Sequence, residues 1–394
     1  MVLDHPYPSD LRVENEARTL RAAGHEVRLL QMAPDTRPVV GEHEGTVIVR
    51  HRLPARLRNA LRGTSGMIPA MDLYLARLIR RLHRTWAFDA LHIHDLYLVG
   101  GGLRAGEKLG VPVVADLHEN WVEALQHYAW STRSPGRWIV RIPKWERVER
   151  AWTQAADRVV VPIEEAATRY AGMGVDPQRI AVVPNTVSLT EYDATPVDQT
   201  IVDALASPLT LVYTGGIDAH RGLETVVDAM PAVLAQERGA RLVVVGDGRT
   251  LKSLRERAAP LGDRVTFKGW QPQHQIKSYM VAADLALIPH LKTPHTDNTI
   301  PHKLFHAMAV GTPVVVSNCD PLERIVGSEE CGVVFRSGDP ASFADAVGRM
   351  RDPAARAAMG ERGRVAVRAR YNWDATAGPL VELYEGLGRD GGGG

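Results

Sequence analysis

The chain has 394 residues, 45% of them hydrophobic and 24% charged, with Lys+Arg 47 against Asp+Glu 46 and a formal net charge of +1. That length exceeds one comfortable core and fits two domains of ordinary size, and the near-zero charge disfavours nucleic acid as a partner. Two cysteines, Cys319 and Cys331, lack metal-ligand spacing and point to free thiols in a reduced compartment; with no apolar run near the roughly 18 residues of a spanning helix and no basic-then-apolar leader, a cytoplasmic location is expected.

The chain opens on MVLDHPYPSD, with hardly three residues of strand where a strand feeding a ligand loop needs about five, so a truncated first strand stays open as a reading. The same turn has no Gly-x-Gly-x-x-Gly fingerprint, which disfavours a dinucleotide dehydrogenase. Strands are expected near EVRLLQ, TVIVRH, ALHIHD, VPVVADL, RVVVP and IAVVP, with helical stretches between them, in a first domain over 1–195. Inside it, Arg50 to Gly63 carries five arginines and no acid, and Arg77, Arg80, Arg81 and Arg84 follow. This is either a solvated face or a peripheral contact with an anionic membrane inner face or a phosphorylated lipid acceptor.

Thr195 to Pro208 bears Pro and Asp with weak periodicity and reads as a linker. From Leu209 a βαβ rhythm takes over in a second domain at 205–370: LTLVY, a helix with Leu223, Val226, Val227, Met230 and Val233 at helical spacing, RLVVV, a further helix, VTFKG, the Ile276, Tyr279, Met280, Ala283 stripe, DLALIP, TPVVVS, GVVF, and a helix marked by Phe343, Val347 and Met350. Right-handed crossovers then imply an α/β protein of two Rossmann-like, doubly wound parallel-sheet domains facing each other across a cleft, with ligands at the carboxyl ends of the strands. A helix from Trp373 to Leu387, within a segment at 371–390, is expected to return to the first domain, and the four terminal glycines to be disordered.

The most informative stretch is NTIPHKLFHAMAVGTPVVVS, Asn298 to Ser317. Pro301 presets the first helical φ, Leu304, Phe305 and Met308 form an apolar stripe, Gly311 ends the helix, and a strand from Thr312 to Ser317 follows. The free N–H groups and positive dipole end of such a helix suit a diphosphate; an ordinary αβ unit has the same local pattern.

VYTGGIDAHRGLETVVDAM, VVVGDGRTL, FKGWQPQHQIKSYMVAADLALIP and that helix, in this order, resemble glycosyltransferase family 4 on the GT-B fold. RVENEARTLRAAGHEVRLL from Arg12 and VPVVADLHENWVEAL from Val111 look like its acceptor-side domain, so the resemblance spans nearly the whole chain. It implies a retaining glycosyltransferase that moves a sugar from a nucleoside-diphosphate sugar to a sugar, lipid-linked or small-molecule hydroxyl acceptor, with no metal on the diphosphate and no further cofactor.

A departing diphosphate accumulates negative charge and calls for fixed positive charge and oriented donors. Arg221, past the Gly215-Gly216 turn, stands where the family shows a lysine before a glycine, and a guanidinium can grip phosphate oxygens with two N–H groups. The family often has an arginine where this chain has Gly216; Lys303 or His302 can replace that cation, unless Lys303 is simply solvated. Two family glutamates eight positions apart, one for donor-sugar hydroxyls and one for the ribose, are here Asn298 and His306, which keep hydrogen-bonding capacity without charge. Asn298, Thr299, Ile300, Pro301 and His302 lead into the helix along the expected donor site.

Gly246-Asp247-Gly248 would let backbone approach the nucleotide, and Trp270 flanks the nucleobase or is a buried structural residue. His118, ending VPVVADL, corresponds to a family histidine that contacts the donor sugar, as a neutral imidazole; a satisfied strand-end histidine is the alternative. Glu119 is its weaker partner, and His94 and Asp95 either shape the acceptor pocket or cap the next helix. Without a carboxylate nucleophile, the leaving phosphate oxygen is expected to take the acceptor proton in a front-face displacement. A nucleotide-sugar epimerase or hydrolase on the same fold, and a non-catalytic nucleotide-sugar or glycan-binding protein, are the rival readings.

Overall fold

The computed structural model describes residues 1–8, 10–32, 37–54, 58, 62, 64–126, 131, 138 and 140–390, with the backbone alone at 388–390. The four terminal glycines, and residues 55–57, 59–61 and 63 of the arginine-rich run, lie outside the described residues. The chain divides into two compact units: Met1–Pro184 with Ala377–Gly394, and Asn185–Thr376.

The second unit carries a six-stranded sheet of β9 (Leu209–Thr214), β10 (Ala240–Val245), β11 (Val265–Gly269), β12 (Leu285–Ile288), β13 (Val314–Ser317) and β14 (Gly332–Phe335). Its order is β11-β10-β9-β12-β13-β14 and every pairing is parallel. Helices such as Leu223–Gln236 and Gln273–Val281 connect the strands. This is the Rossmann order, in which the direction of winding reverses between the first and fourth strands. The near-continuous apolar strands are buried on both faces because successive side chains alternate. Leu211, Tyr213, Leu242 and Val244 join one core with Val226, Met230 and Phe343, while Val212, Val243 and Val245 join another with Leu205 and Tyr279.

That second core explains the segment read as a linker. Gln199–Leu205 is a helix whose start is capped by Asp198, and Leu205 is buried beneath the sheet. Upstream, the Tyr192 ring stacks on His306 at 5.1 Å. The chain therefore joins the second unit from Asn185 onward, ahead of the expected linker at Thr195. The run hid this because a helix of 7 residues, held by Leu205 and the partly buried Ile201, is too short to show a clear periodicity.

The first unit holds an eight-stranded sheet in the order β3-β4-β2-β1-β5-β6-β7-β8, built from β1 (Val2–Leu3), β2 (Arg28–Gln31), β3 (Val40–His43), β4 (Thr46–Arg50), β5 (Leu91–His94), β6 (Val113–Asp116), β7 (Arg158–Val161) and β8 (Ile180–Val182). Only β3 runs antiparallel to its neighbour. β1 has two residues and pairs with both β2 and β5, so the winding reverses beside it. The last expected helix is two pieces, Trp373–Thr376 and Gly378–Asp390. The longer piece lies in the first unit, where Tyr384 sits 2.8 Å from His92 Nδ1.

Two local expectations shift. Pro301 is the N-cap, with φ −80° and ψ 133°, and the helix runs His302–Ala309; the proline stands outside the first turn because its extended ψ turns the chain into the helix. The following strand starts at Val314 rather than Thr312, whose hydroxyl instead donates to Met280 O at 2.7 Å. In the arginine-rich run, Arg58 and Arg62 are drawn inward, donating to Asp4 O at 3.2 Å and Asp4 Oδ2 at 2.5 Å.

Gly246 ends β10 at φ 141°, and a Cβ there would lie 1.9 Å from Gly215 O. The tips of β9 and β10 can approach this closely only through glycine. Gly246→Ala should therefore destabilise the second unit by about 3 kcal/mol or more, read as a fall in its urea midpoint; an unchanged midpoint would show that the tips can part freely.

Candidate active site

At the reversal point of the second sheet the carboxyl ends of β9 and β12 deliver several polar groups to one place. After β9 the backbone passes through Gly215 at φ 121° and Gly216, both exposed, and a 3-10 turn at Ala219–Arg221 follows. Gly222 closes that turn at φ 68°; a Cβ there would strike Pro289 O at 1.9 Å, so glycine lets the turn dock on the end of β12. Docking is completed by Leu291 N donating to His220 O at 2.9 Å.

This brings Arg221 Nη1 to 3.1 Å from Nε2 of His290, which is buried at the end of β12. Burial, with the neighbouring Arg221 and Lys303 charges, pushes the His290 pKa well below the usual histidine range, so its neutral nitrogen accepts from the guanidinium. Arg221 Nε has no hydrogen-bond partner among the described residues. Lys303, in the first turn of His302–Ala309, places Nζ 3.7 Å from the centroid of the Tyr213 ring. A Cβ built on Gly215 would lie 3.1 Å from that amine. Nζ is covered and has no hydrogen-bond partner among the described residues, and burial, followed by the Arg221 charge, lowers its pKa well below the ordinary lysine value. The solvated reading of Lys303 thus fails, because its stem folds over Tyr213 instead of extending outward.

Asn298 ends a short turn, and its Nδ2 donates to Pro294 O at 2.8 Å. Thr299 and His302 are half-buried, whereas Ile300 is a core side chain that offers only backbone to a ligand. His306 is buried against Tyr192, whose hydroxyl donates to His306 O at 3.0 Å, and burial lowers its pKa to about 4. Gly246, Asp247 and Gly248 follow β10, where Asp247 Oδ1 accepts from Gly248 N at 2.7 Å and Ile217 N donates to Asp247 O at 2.9 Å. Gly246 and Gly248 therefore serve backbone packing between the two loops. Trp270 is 72% exposed, which excludes the buried structural reading; it follows Gly269, whose positive φ turns the chain off β11.

In the first unit the strand ends carry a compensated network. His94 closes β5, Asp95 follows at φ 69°, and His118 lies two residues past β6. His118 Nε2 donates to Asp116 Oδ2 at 3.0 Å, and its Nδ1 is 3.8 Å from Asp95 Oδ1. Burial opposes protonation, but Asp116 and Asp95 outweigh it and hold the pKa up at about 10. The expected neutral imidazole is thus replaced by an imidazolium that can only donate. Burial alone would raise Asp95, yet the His118 charge and the His5 hydrogen bond pull it well below the carboxylate range. His94 is fully buried 3.1 Å from His118, and burial and His92 hold it down at about 3. Asp95 makes no side-chain cap bond to the next helix. Glu119 is half-buried beside His118.

The sequence reading missed Asp4, His5, Arg62 and Tyr97, which complete this network: Arg62 Nη2 donates to Tyr97 Oη at 2.8 Å, and Tyr97 Oη to Asp95 Oδ2 at 3.0 Å. It also missed His290 and Tyr213. Asp4 and His290 each follow the carboxyl end of a strand flanking a reversal point, a position that could have flagged them.

Residues 11–191 match the family model for Glycosyltransferase Family 4, and residues 208–352 that for Glycosyl transferases group 1. The chain belongs to glycosyltransferase family 4. Phosphatidyl-myo-inositol mannosyltransferase of Mycobacterium leprae is 26% identical over 378 residues, 95% of this chain and 92% of that protein. Sucrose-phosphate synthase from Thermosynechococcus elongatus superposes with a TM-score of 0.79 at 22% identity, covering 99% of this chain and 98% of that one. Anabaena HepE in complex with UDP-glucose gives 0.71 at 15% identity, with 98% of each chain covered. These likenesses establish the GT-B fold for this glycosyltransferase.

His306 yields a pH test in the family 4 chain. Its folded pKa of about 4 lies below the unfolded value of 6.5, so between those values the unfolded chain binds more protons and stability rises with pH. The neutral-state contribution is complete above pH 6.5 and is lost as pH falls towards 4. His306→Gln should shrink the stability difference of the second unit between pH 7 and pH 4.5 by about 2 to 3 kcal/mol in urea unfolding; an undiminished difference would contradict this.

Proposed function

We propose that the protein transfers a sugar from a nucleoside-diphosphate sugar to a hydroxyl-bearing acceptor with retention at the anomeric carbon and without a metal on the diphosphate. The observation that carries the reading is the pair Arg221 and Lys303 at the reversal point of the second sheet, whose Nε and Nζ have no hydrogen-bond partner among the described residues. Ligands of doubly wound sheets bind at such points, and a diphosphate supplies negative charge to both groups. The UDP-glucose complex of the similarly folded HepE supports the donor class.

As the bond between the anomeric carbon and the phosphate oxygen breaks, charge grows on that oxygen, and the two side chains stabilise it from fixed positions. The acceptor oxygen forms its bond to the same face of the carbon, and its proton passes to the departing phosphate oxygen. Two fixed cations provide the charge that a bound divalent ion would otherwise bring. His118 donates from Nδ1 to a donor-sugar hydroxyl, while Asn298 and His306 offer uncharged hydrogen-bonding groups to the sugar and ribose in place of carboxylates. Trp270, Gly215, Gly216 and the backbone at Thr299–His302 line the nucleotide, and His94, Asp95 and Glu119 border the acceptor.

The acceptor is phosphorylated or lipid-linked in this reading. Exposed Arg77, Arg80, Arg81 and Arg84 on the helix Ala70–Trp86 join Lys108 around a basic depression, fitted to an acceptor phosphate at an anionic membrane surface. The mannosyltransferase relative carries phosphatidyl-myo-inositol, a phosphate-bearing lipid, in its name.

A thermal-shift screen of nucleotide sugars should find a donor that stabilises the protein, by roughly 2.7 kcal/mol at a hundred times its Kd. With that donor, Arg221→Ala should lower kcat about 100-fold or more, with Lys303→Met similar and neither changing the unliganded Tm greatly. Turnover by Arg221→Ala within a few-fold of the unaltered enzyme would refute the assignment.

A further inference from the structure

Beneath the strand ends of the first unit lies a group of four side chains, of which the proposed transfer uses only His94, at the border of the acceptor. Glu16 comes from the helix Leu11–Ala22, His92 and His94 from alternate positions of β5, and Asp116 from the end of β6; none of the four is more than 2% exposed. His92 and His94 point to the same side because strand side chains repeat every two residues. One ligand-type atom from each of the four lies within 4.8 Å of the others.

Four internal distances bracket the edge length of a coordination tetrahedron, two of them at 3.5 Å and the others at 3.0 and 4.0 Å. Glu16 Oε2 is 3.5 Å from His92 Nε2 and 4.0 Å from His94 Nδ1. Asp116 Oδ2 is 3.5 Å from His92 Nε2 and 3.0 Å from His94 Nδ1. Zinc bonds of about 2.0 to 2.2 Å place tetrahedral ligand atoms about 3.3 to 3.6 Å apart.

Protein contacts satisfy this group only in part. Glu16 Oε1 is paired with Arg12, but Glu16 Oε2 and the Nε2 of His92 are buried without a hydrogen-bond partner among the described residues, a costly state for polar atoms. The surroundings are arranged as supports. His92 Nδ1 lies 2.8 Å from Tyr384 Oη, which fixes the ring with Nε2 turned inward. Arg12 lies 3.0 Å from the outer Glu16 Oε1 and donates to the outer Asp116 Oδ1 at 2.7 Å, with Nε also 3.2 Å from Oδ2. His118 Nε2 completes the ring of contacts at Asp116 Oδ2.

We propose that Glu16, His92, His94 and Asp116 form a closed structural site for one zinc-type divalent cation, with Tyr384 and Arg12 as its outer supports. Two imidazoles and two carboxylates suit zinc in type and number. Bound there, the ion ties the first helix to β5 and β6 and, through Tyr384, to the helix Gly378–Asp390. It is separate from any ion on the donor diphosphate.

The test is metal content and unfolding temperature of the full chain, which do not depend on turnover. After loading with zinc chloride and exhaustive dialysis, elemental analysis should give about one zinc per chain, and chelation should lower Tm. Cobalt(II) in its place should show the intense visible bands of a four-coordinate ion. His92→Gln should lose the metal while keeping its far-ultraviolet circular dichroism. Should that variant not fold, Tyr384→Phe, which keeps the ring, should weaken zinc binding roughly 10-fold. Zinc below a tenth of an equivalent after loading, an unchanged Tm on chelation, or full metal retention by His92→Gln or full affinity in Tyr384→Phe would each overturn the site.

Discussion

The Arg221 guanidinium and the Lys303 amine share one place in the second unit, where Nε and Nζ have no hydrogen-bond partner among the described residues, and much of the surrounding architecture holds them there. Like charges at short range repel, and covering them raises the cost; the lowered proton affinity of Lys303 expresses both effects. The arrangement persists because other contacts over-determine it. Gly222 docks the Arg221 turn on β12, neutral His290 accepts one guanidinium N–H, and Tyr213 offers its ring to the lysine. A diphosphate would bring negative charge to both groups at once, which is the interaction the proposed donor site relies on.

The first unit solves its electrostatics in the opposite way. Asp4 faces Arg58 and Arg62, Asp95 faces His5 and His118, and Asp116 faces Arg12, so each cation at the strand ends has an internal carboxylate. Such a surface holds oriented donors but little unspent charge. It suits hydroxyl recognition, whereas the second unit suits a pyrophosphate. Beneath that compensated layer, Glu16 Oε2 and His92 Nε2 have no hydrogen-bond partner among the described residues, which is why the cation demand there differs in kind from the one at Arg221.

Sequence patterns carried the sheet architecture far. The apolar strands of the second unit announce themselves because both faces are buried, and Gly311 at φ 77° marks the turn after Ala309. Arg221 and Lys303 were legible as candidates from their places beside a glycine turn and a helix start. Their closeness followed from the family resemblance alone, since the two lie 82 positions apart and meet only through the sheet order. His290 was invisible because a histidine after an apolar strand has no local signature, and the charge state of His118 depends on Asp95 and Asp116 arriving from different strands. The helix Gln199–Leu205 was lost for a different reason: its anchors, Leu205 and the partly buried Ile201, belong to a core assembled by residues downstream.

The central claim is that Arg221 and Lys303 together receive the donor's pyrophosphate. A crystal structure of the protein with a non-hydrolysable nucleotide sugar tests it most directly. The account predicts phosphate oxygens within about 3 Å of both the guanidinium and the Lys303 amine, over the Gly215-Gly216 turn. A bound nucleotide whose phosphates lie against other residues, with Lys303 still folded on Tyr213 and untouched, would contradict it.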